Sequence, residues 1–222
     1  MQGFTVAACK IGMRSVYRID AAEMAKVPRE GPLIAYTNHT GLAEAPILYT
    51  HLKPRKHVTG IAKAEFWDNW FMRWIFTLWE LIPVHRGEAD MEAMRVSIDA
   101  LKRGYILGIA PEGTRNKTGK LIRAQPGIAI LALHSGALLQ PVAHTMEGSL
   151  GENLKRFRRT PFKVRVGRVF KIDLRDRKVT KEARQEIADE IMYQLAKLLP
   201  EENRGAYADL GKATENWLAF QD

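Results

Sequence analysis

The alternation of short apolar runs with helical patterns is the feature that most restricts the fold of this 222-residue chain. Six runs have the length and composition of β-strands: residues 32–37, 58–62, 81–85, 105–110, 137–143 and 162–172. Stretches with apolar residues three or four positions apart lie between several of them. Strands that alternate with helices favour a largely parallel sheet covered by helices. We therefore expect an α/β fold, with a mixed, largely parallel sheet flanked by helices, in a single domain spanning residues 1–222.

Boundary signals divide the chain further. Gly104 can stop a first helix, Pro126 can open a second, and Thr180 can cap a third that ends at Pro200. The apolar positions of these helices are Met91, Met94, Ile98 and Leu101; Ile128, Leu131 and Ala132; and Ala183, Ile187, Ile191, Leu195 and Leu198. A last short helix is expected to hold Tyr207, Leu210 and Trp217. The predicted organisation is a basic amphipathic helical segment at 1–30, an α/β core at 32–172 and C-terminal helices at 180–222.

Composition restricts the partners and the compartment. The formal net charge of +9 favours an anionic partner: a phospholipid surface, a phosphorylated substrate or nucleic acid. A lone cysteine, Cys9, excludes an intramolecular disulfide and a cysteine-built metal site, and it fits a reducing compartment. Residues 1–20 lack the apolar segment of a signal peptide. The longest apolar stretch, 66–84, contains Asp68, Arg73 and Glu80, so we expect the protein to lie on a membrane rather than cross it.

The segment after the first predicted strand has the residues of a general base. Asn38-His39-Thr40-Gly41-Leu42-Ala43-Glu44 places a histidine and a carboxylate five positions apart, which in a straight helix would separate them by more than one turn. A loop leading into a helix would bring them together. Glu44 could then accept one ring N–H while the other ring nitrogen takes a proton from a hydroxyl. The alternative is a helix cap at Asn38 or Thr40 followed by an incidental histidine.

A second segment, directly after the predicted strand at 105–110, has the residues of an anion-binding turn. Within Pro111-Glu112-Gly113-Thr114-Arg115, the glycine permits a tight backbone turn and the arginine can hold a phosphate with two parallel hydrogen bonds. A plain surface turn is the alternative. Both segments follow predicted strands, where α/β proteins usually place their chemistry, and this placement favours a site.

Three more segments belong to the same pattern: Lys63-Ala64-Glu65, Leu81-Ile82-Pro83-Val84-His85-Arg86-Gly87 and Leu139-Gln140-Pro141-Val142-Ala143. Across residues 32–145 the five segments, in this order, resemble the glycerolipid acyltransferase family, which includes the 1-acylglycerol-3-phosphate acyltransferases. Members of that family carry Asn-His, four residues and then Asp. A Lys-rich strand end, an Arg after an Ile-Pro-type strand, a Pro-Glu-Gly-Thr-Arg block and a Pro-Val strand follow.

The resemblance implies transfer of a fatty acyl group from acyl-CoA or acyl-carrier protein to a hydroxyl of a lysophospholipid, in phospholipid biosynthesis. The expected acceptor is 1-acylglycerol 3-phosphate. His39 would be the general base, and Glu44 would orient it and stabilise its protonated form. The residues that match the family's phosphate-binding blocks are Lys63, Arg86, Glu112, Gly113, Thr114 and Arg115. The implied chemistry needs no metal and no bound cofactor, and the protein would sit peripherally on the cytoplasmic face of an anionic membrane.

Two positions depart from the family pattern. The aspartate of the family is Glu44 here, and the serine usually found two residues after the histidine is Gly41. Glutamate is one methylene longer than aspartate, so the backbone must compensate if the carboxylate is to meet the ring.

An aromatic stripe lies between the second and third predicted strands. Its members at helical spacing are Trp67, Trp70, Phe71, Trp74, Leu78 and Leu81. One interpretation is an ordinary buried helix. The resemblance favours a wall of an acyl-chain groove formed by Trp70, Phe71, Trp74 and Leu78, and an interfacial helix with tryptophans at headgroup depth is a further possibility.

Basic residues concentrate in two regions, Lys10 to Arg18 and Lys155 to Lys178. They form either ordinary solvated surface or a region attracted to anionic lipid or to an acidic carrier protein. The sequence has no nucleic-acid recognition motif, so no nucleic acid partner is expected. The other histidines have no metal-ligand spacing: His51, His57, His85, His134 and His144. Alternatives to the lysophospholipid reaction are another acceptor such as glycerol 3-phosphate, a hydrolase, and a non-enzymatic module binding anionic membrane or nucleic acid.

Overall fold

The structure, a computed structural model, describes residues 1–52, 57–85 and 90–221. The α-helices in these ranges are α1 (Gln2–Val16), α2 (Glu44–Leu52), α3 (Trp70–Leu78), α4 (Met91–Lys102), α5 (Gly127–Ser135), α6 (Leu150–Lys155) and α7 (Lys181–Ala196). The strands are β1 (Tyr17–Asp20), β2 (Leu33–Tyr36), β3 (Val58–Lys63), β4 (Ile82–Val84), β5 (Ile106–Ile109), β6 (Leu138–Met146), β7 (Thr160–Val166), β8 (Phe170–Ile172) and β9 (Leu218–Phe220). Short 3-10 turns occupy Ala22–Lys26, Ala64–Asp68, Glu201–Asn203, Gly205–Tyr207 and Leu210–Lys212.

All strands of the described ranges belong to one sheet, with the order β1-β7-β6-β2-β5-β3-β4 and with β8 and β9 attached beside β6. Strand β2 lies at the centre and is parallel to both neighbours, β5 and β6. Strands β3 and β4 continue the parallel part, whereas β7 runs antiparallel to β6. The expected α/β fold with a mixed, largely parallel sheet flanked by helices is therefore confirmed.

Both faces of the sheet are covered. Helices α1, α2 and α3 contribute to an apolar cluster on one face, and helices α4, α5 and α7 contribute to a second cluster on the other. The central strand alternates between them, since Leu33 and Ala35 belong to the first cluster and Ile34 and Tyr36 to the second. Burial on both faces explains why this strand reads as a continuous apolar run. Within the described ranges no helix combines the length and apolarity required to traverse a bilayer.

Most predicted elements are confirmed, but the run at 162–172 is two strands rather than one. Strand β7 pairs with β6 through Val142 and Val166, and β8 pairs with it through Leu139 and Phe170. Between these paired positions β6 advances three residues, from 139 to 142, whereas the chain opposite it advances four, from 166 to 170. The extra residue makes a bulge. At this bulge a side chain on Gly167 would lie 2.7 Å from a ring carbon of Pro141, so the close approach requires glycine.

Both ends of the chain differ from expectation. The predicted helical segment at 1–30 is helical only in α1 and in the turn at Ala22–Lys26, because β1 separates them and pairs with β7. The predicted C-terminal helices at 180–222 reduce to α7 and short turns. Trp217 precedes strand β9 instead of lying in a helix, because the chain there adds an antiparallel edge to β8.

Candidate active site

Two loops leave the sheet side by side. Strands β2 and β5 are parallel neighbours in register, with Tyr36 opposite Ile109, so the segments that follow them emerge at the same edge. These segments are residues 37–43, which lead into Glu44 at the start of α2, and residues 110–126, and they carry the two motifs found in the sequence. Adjacent carboxyl ends of parallel strands form the crevice in which open α/β sheets bind ligands.

The backbone of His39 is held between two residues of the neighbouring loop. Its N–H donates to Oε1 of Glu112 at 2.8 Å, and its carbonyl accepts from the N–H of Asn116, also at 2.8 Å. The other oxygen of Glu112 accepts from the N–H of Ile122 at 3.1 Å. Glu112 of the Pro-Glu-Gly-Thr-Arg block therefore lies directly against the histidine, and the two loops are neighbours.

The side chain of Glu112 does not face solvent, as a residue that binds phosphate directly would. Its side chain is 2 % exposed, and each carboxylate oxygen accepts a backbone N–H. Burial raises the pKa of Glu112, and the N–H groups of Ile122 and His39 oppose that shift. A buried carboxylate engaged in this way fixes the histidine loop and does not itself offer a positive group to a phosphate.

The ring of His39 meets Glu44 as predicted. Nδ1 lies 2.7 Å from Oε1 of Glu44, and the same oxygen accepts the N–H of Gly41 at 2.8 Å. Burial by itself would raise the pKa of Glu44, but the hydrogen bonds from His39 and Gly41 lower it to about 2. An ionised carboxylate can only accept hydrogen bonds, so the shared proton lies on Nδ1. The Nε2 atom of the neutral ring is then the unprotonated nitrogen.

The five-residue spacing works because Glu44 is the first residue of α2. Residues 37–43 form an irregular loop, and the helix begins as the chain turns back beneath the ring. The N-terminus of a helix stabilises a carboxylate through its free N–H groups and its dipole. The expectation of a loop leading into a helix is confirmed.

A buried histidine that the sequence did not single out supports the loop from below. The amide of Asn38 donates to the carbonyl of His144 at 2.9 Å and accepts the N–H of His144 at 3.0 Å. The hydroxyls of Thr37 and Thr40 contact the two ring nitrogens of His144 at 3.2 and 3.1 Å. Asn38 and Thr40 are thus not helix caps, and that alternative is wrong. Strand β6 runs beside β2, and the Pro141-Val142 motif lies on β6 just before His144. This motif was the sequence signal that could have placed His144 at the site.

The other residues predicted to bind phosphate differ in exposure and in their contacts. Arg115 and Thr114 are exposed on the β5 loop, where Gly113 has a φ of 69° that favours glycine. Lys63 is the last residue of β3, and its Nζ lies 2.7 Å from Oε1 of Glu65. Arg86 lies outside the described residues. Among the described residues, no cluster of three or more His, Cys, Asp and Glu side chains could hold a metal ion.

The aromatic stripe is not an ordinary buried helix. Trp70 is 78 % exposed, and Phe71 and Trp74 are also exposed, with Phe71 in ring contact with both. Leu78 instead packs against the apolar cluster of that sheet face. Helix α3 therefore turns three aromatic rings outward, and of the four expected groove residues only Leu78 lies inward.

Together these features define an α/β protein with a histidine–carboxylate pair at the carboxyl edge of a parallel sheet. The sequence profile of the Acyltransferase family matches residues 18–145, which is more than half of the chain and includes the whole site. The chain belongs to this family.

Two named proteins are similar to this chain, one in sequence and one in fold. The Arabidopsis thaliana protein named 1-acyl-sn-glycerol-3-phosphate acyltransferase LPAT1, chloroplastic, is 23 % identical over 135 residues, which cover 60 % of this chain and 37 % of that protein. This chain thus matches well under half of that relative's length. The crystal structure of PlsC, the 1-acyl-sn-glycerophosphate (LPA) acyltransferase of Thermotoga maritima, superposes with a TM-score of 0.60 at 19 % identity. It covers 89 % of this chain and 79 % of the PlsC chain, and this likeness concerns the fold.

Proposed function

We propose that the protein transfers a fatty acyl group from a thioester, acyl-CoA or acyl-carrier protein, to the free hydroxyl of a lysophospholipid. The proposed acceptor is 1-acylglycerol 3-phosphate, the substrate type named for both relatives. The observation that carries the proposal is the 2.7 Å contact between Nδ1 of His39 and Oε1 of Glu44, beside the β5 loop that contains Arg115.

The reaction follows from the protonation state of this pair. Nε2 of His39 accepts the proton of the acceptor hydroxyl while the oxygen attacks the thioester carbonyl. The tetrahedral intermediate collapses and breaks the carbon–sulfur bond. The leaving thiolate takes the proton back from the imidazolium, so the products are an ester and a free thiol. Glu44 keeps the ring oriented and stabilises its positive charge while the proton is held.

The surroundings of His39 suit a phosphorylated acceptor. Arg115 is exposed on the β5 loop, and the residue after it, Asn116, donates its N–H to the carbonyl of His39. A guanidinium binds phosphate with two parallel hydrogen bonds, which would fix the distance between the phosphate and the reacting hydroxyl. Lys63 and Arg86 are proposed as further contacts, and no resident metal or cofactor is required for the steps above.

The outward aromatic rings of α3 suit the acyl chain. Trp70, Phe71 and Trp74 present apolar surface on the helix that follows β3, the strand that ends in Lys63. Exposed aromatic groups of this kind bind hydrocarbon or the interface of a bilayer. We place the protein peripherally on the cytoplasmic face of an anionic membrane, where both lipid substrates would be available.

The test is a product analysis with purified protein, radiolabelled acyl-CoA and a panel of acceptors: 1-acylglycerol 3-phosphate, glycerol 3-phosphate and uncharged lysolipids. The proposal predicts labelled diacylglycerol phosphate as the main product. Labelled free fatty acid without lipid ester would indicate a hydrolase, and absence of turnover with every acceptor would leave only a binding function.

A matched pair of variants tests the phosphate contact. Arg115→Gln should raise KM for the phosphorylated acceptor by roughly tenfold or more, because a charge-assisted bidentate contact is lost. KM for acyl-CoA should change much less. Lys117→Gln removes an exposed charge two residues away and should leave both constants near wild type. Equal effects of the two variants would contradict a specific role for Arg115.

A further inference from the structure

The segment between β6 and β7 holds a large apolar side chain fully in water. Phe157 is 100 % exposed, and Leu150 and Leu154 of the preceding helix α6 are exposed as well. Leu150 and Leu154 lie four residues apart on one face of α6, and Phe157 lies in the turn that follows the helix. We call residues 150–159 the basic tip.

The backbone of the basic tip holds Phe157 in this position. The φ of Phe157 is 53°, a left-handed conformation that is rare for a bulky residue. The turn is closed by hydrogen bonds from the Phe157 N–H to the Leu154 carbonyl at 3.0 Å and from the Arg158 N–H to the Asn153 carbonyl at 2.9 Å. The Asn153 side chain anchors it to Thr160 of β7 at 3.1 Å. The aromatic ring is therefore presented by an ordered turn.

Positive charge surrounds this ring. The basic tip contains Lys155, Arg156, Arg158 and Arg159 against a single acid, Glu152. In the part of the chain that the structure describes, none of these four cations is paired with a carboxylate. The guanidinium of Arg159 donates to the carbonyl of Arg14 at 3.4 Å, so the basic end of α1 adjoins the tip.

The tip leaves the same edge of the sheet as the candidate active site. Strand β6 runs parallel to β2, and beyond Pro141, which lies opposite Tyr36, it continues to Met146. His144 on this extension is hydrogen-bonded to Asn38, the neighbour of His39. A surface that engages the tip therefore also approaches the edge that carries His39.

We propose that the basic tip docks on an anionic phospholipid bilayer, with Phe157 inserted among the headgroups and the surrounding Lys and Arg side chains bound to lipid phosphates. An apolar ring within a cluster of cations matches the interface of such a bilayer, where the ring reaches hydrocarbon and the charges stay at headgroup level. A soluble acidic protein would satisfy the charges and leave no equivalent apolar layer for the ring. The orientation toward His39 rests on the proposed function, whereas the docking itself does not.

Vesicle sedimentation tests this with the full chain and needs no turnover. Vesicles of phosphatidylcholine alone are compared with vesicles that also contain phosphatidylglycerol. Arg156→Gln/Arg158→Gln should weaken binding to the anionic vesicles by roughly 30-fold, from about fivefold per cation. Phe157→Ser should weaken it by about tenfold. The matched control Lys181→Gln/Arg184→Gln removes the same charge from exposed positions on α7, across the sheet, and should bind within about twofold of wild type.

Two results would overturn the docking proposal. One is equal binding of the tip variants and the control variant to anionic vesicles. The other is unchanged vesicle binding together with lost binding to a soluble acidic carrier protein, which would assign the tip to a protein partner. His39→Ala should bind vesicles as wild type does, so failure of this proposal and failure of the proposed reaction are separately visible.

Discussion

Gly41 and Glu44, the two positions that depart from the family pattern, contact each other beside His39. Oε1 of Glu44 accepts both the His39 ring and the Gly41 N–H, and a Cβ at position 41 would lie 3.3 Å from Oε2 of Glu44. The longer side chain of glutamate thus occupies space that any side chain at position 41 would reduce. The two departures from the family pattern therefore fit each other sterically.

This steric fit predicts coupling in a double-mutant cycle. Gly41→Ala should lower kcat several-fold in the wild-type background, because the new methyl group displaces the Glu44 carboxylate. The same change should have little effect in a Glu44→Asp background, where the shorter arm withdraws from that space. A coupling free energy of about 0.5 kcal/mol or more in kcat/KM is expected for groups in contact. Strictly additive effects would show that the two positions are independent.

At the scale of elements, the site consists of two loops fastened together by one buried carboxylate. Glu112 joins the β5 loop to the β2 loop through His39 and closes its own loop through Ile122. Each bond uses a different oxygen, so both oxygens must be acceptors. A glutamine at this position would have one oxygen and one NH₂ group. The NH₂ group would face a backbone N–H and could not accept a hydrogen bond from it.

Glu112→Gln should therefore destabilise the protein and slow the reaction together. One partly buried N–H would lose its acceptor, which lowers the free energy of unfolding by about 1–3 kcal/mol. The shifted loop would also lower kcat. Denaturant unfolding and initial rates measure the two effects. Glu186→Gln, an exposed position on α7, is the control and should change stability by less than about 0.5 kcal/mol. Wild-type stability of Glu112→Gln would refute the fastening role.

The elements that the sequence predicted well are those whose signals are local. Strands β2 and β5 are continuous apolar runs because both faces are covered, and α4 and α7 begin with the side-chain caps Asp90 and Thr180. Strands β1 and β9 escaped prediction because they are four and three residues long and gain their hydrogen bonds from distant partners, β7 and β8. The bulge after β7 also depends on pairing with β6, which no local pattern records.

At the scale of the whole molecule, the buried support beneath the site should make stability depend on pH. Burial lowers the pKa of His144 from 6.5 to about 4, although the Glu44 charge opposes the shift. Between these values the unfolded chain takes up a proton that the folded protein does not bind, so stability is lost as pH falls from 6.5 toward 4. Glu44, with its pKa lowered from 4.5 to about 2, adds a further loss below pH 4.5.

The expected loss from His144 is about 3 kcal/mol in the free energy of unfolding between pH 7 and pH 4. Chemical denaturation at a series of pH values measures it. His144→Gln keeps groups that can bond Thr37 and Thr40 but does not titrate, so its profile should lack this part of the loss. Identical profiles for the variant and wild type would contradict the assignment.

The candidate site was predictable as far as its motifs are local, and the rest required the complete fold. The His39–Glu44 pair could be inferred because both residues lie in one short segment. His144 could not, since it comes more than 100 residues later and meets Asn38 only through the pairing of β2 and β6. Glu112 carried the correct motif but an incorrect expected role, because nothing in the sequence records that its oxygens face backbone N–H groups.

The most direct test of the account compares the acyl-transfer rate of His39→Ala with that of His134→Ala, an exposed histidine on α5 across the sheet. Loss of the general base should lower kcat by about 10²-fold or more. The His39→Ala variant should remain folded at the assay temperature, although it loses the contact with the buried Glu44 carboxylate and should therefore melt at a lower temperature than wild type. His134→Ala should turn over normally. A His39→Ala protein that is folded and transfers acyl groups at the wild-type rate would contradict the assignment of His39 as the base.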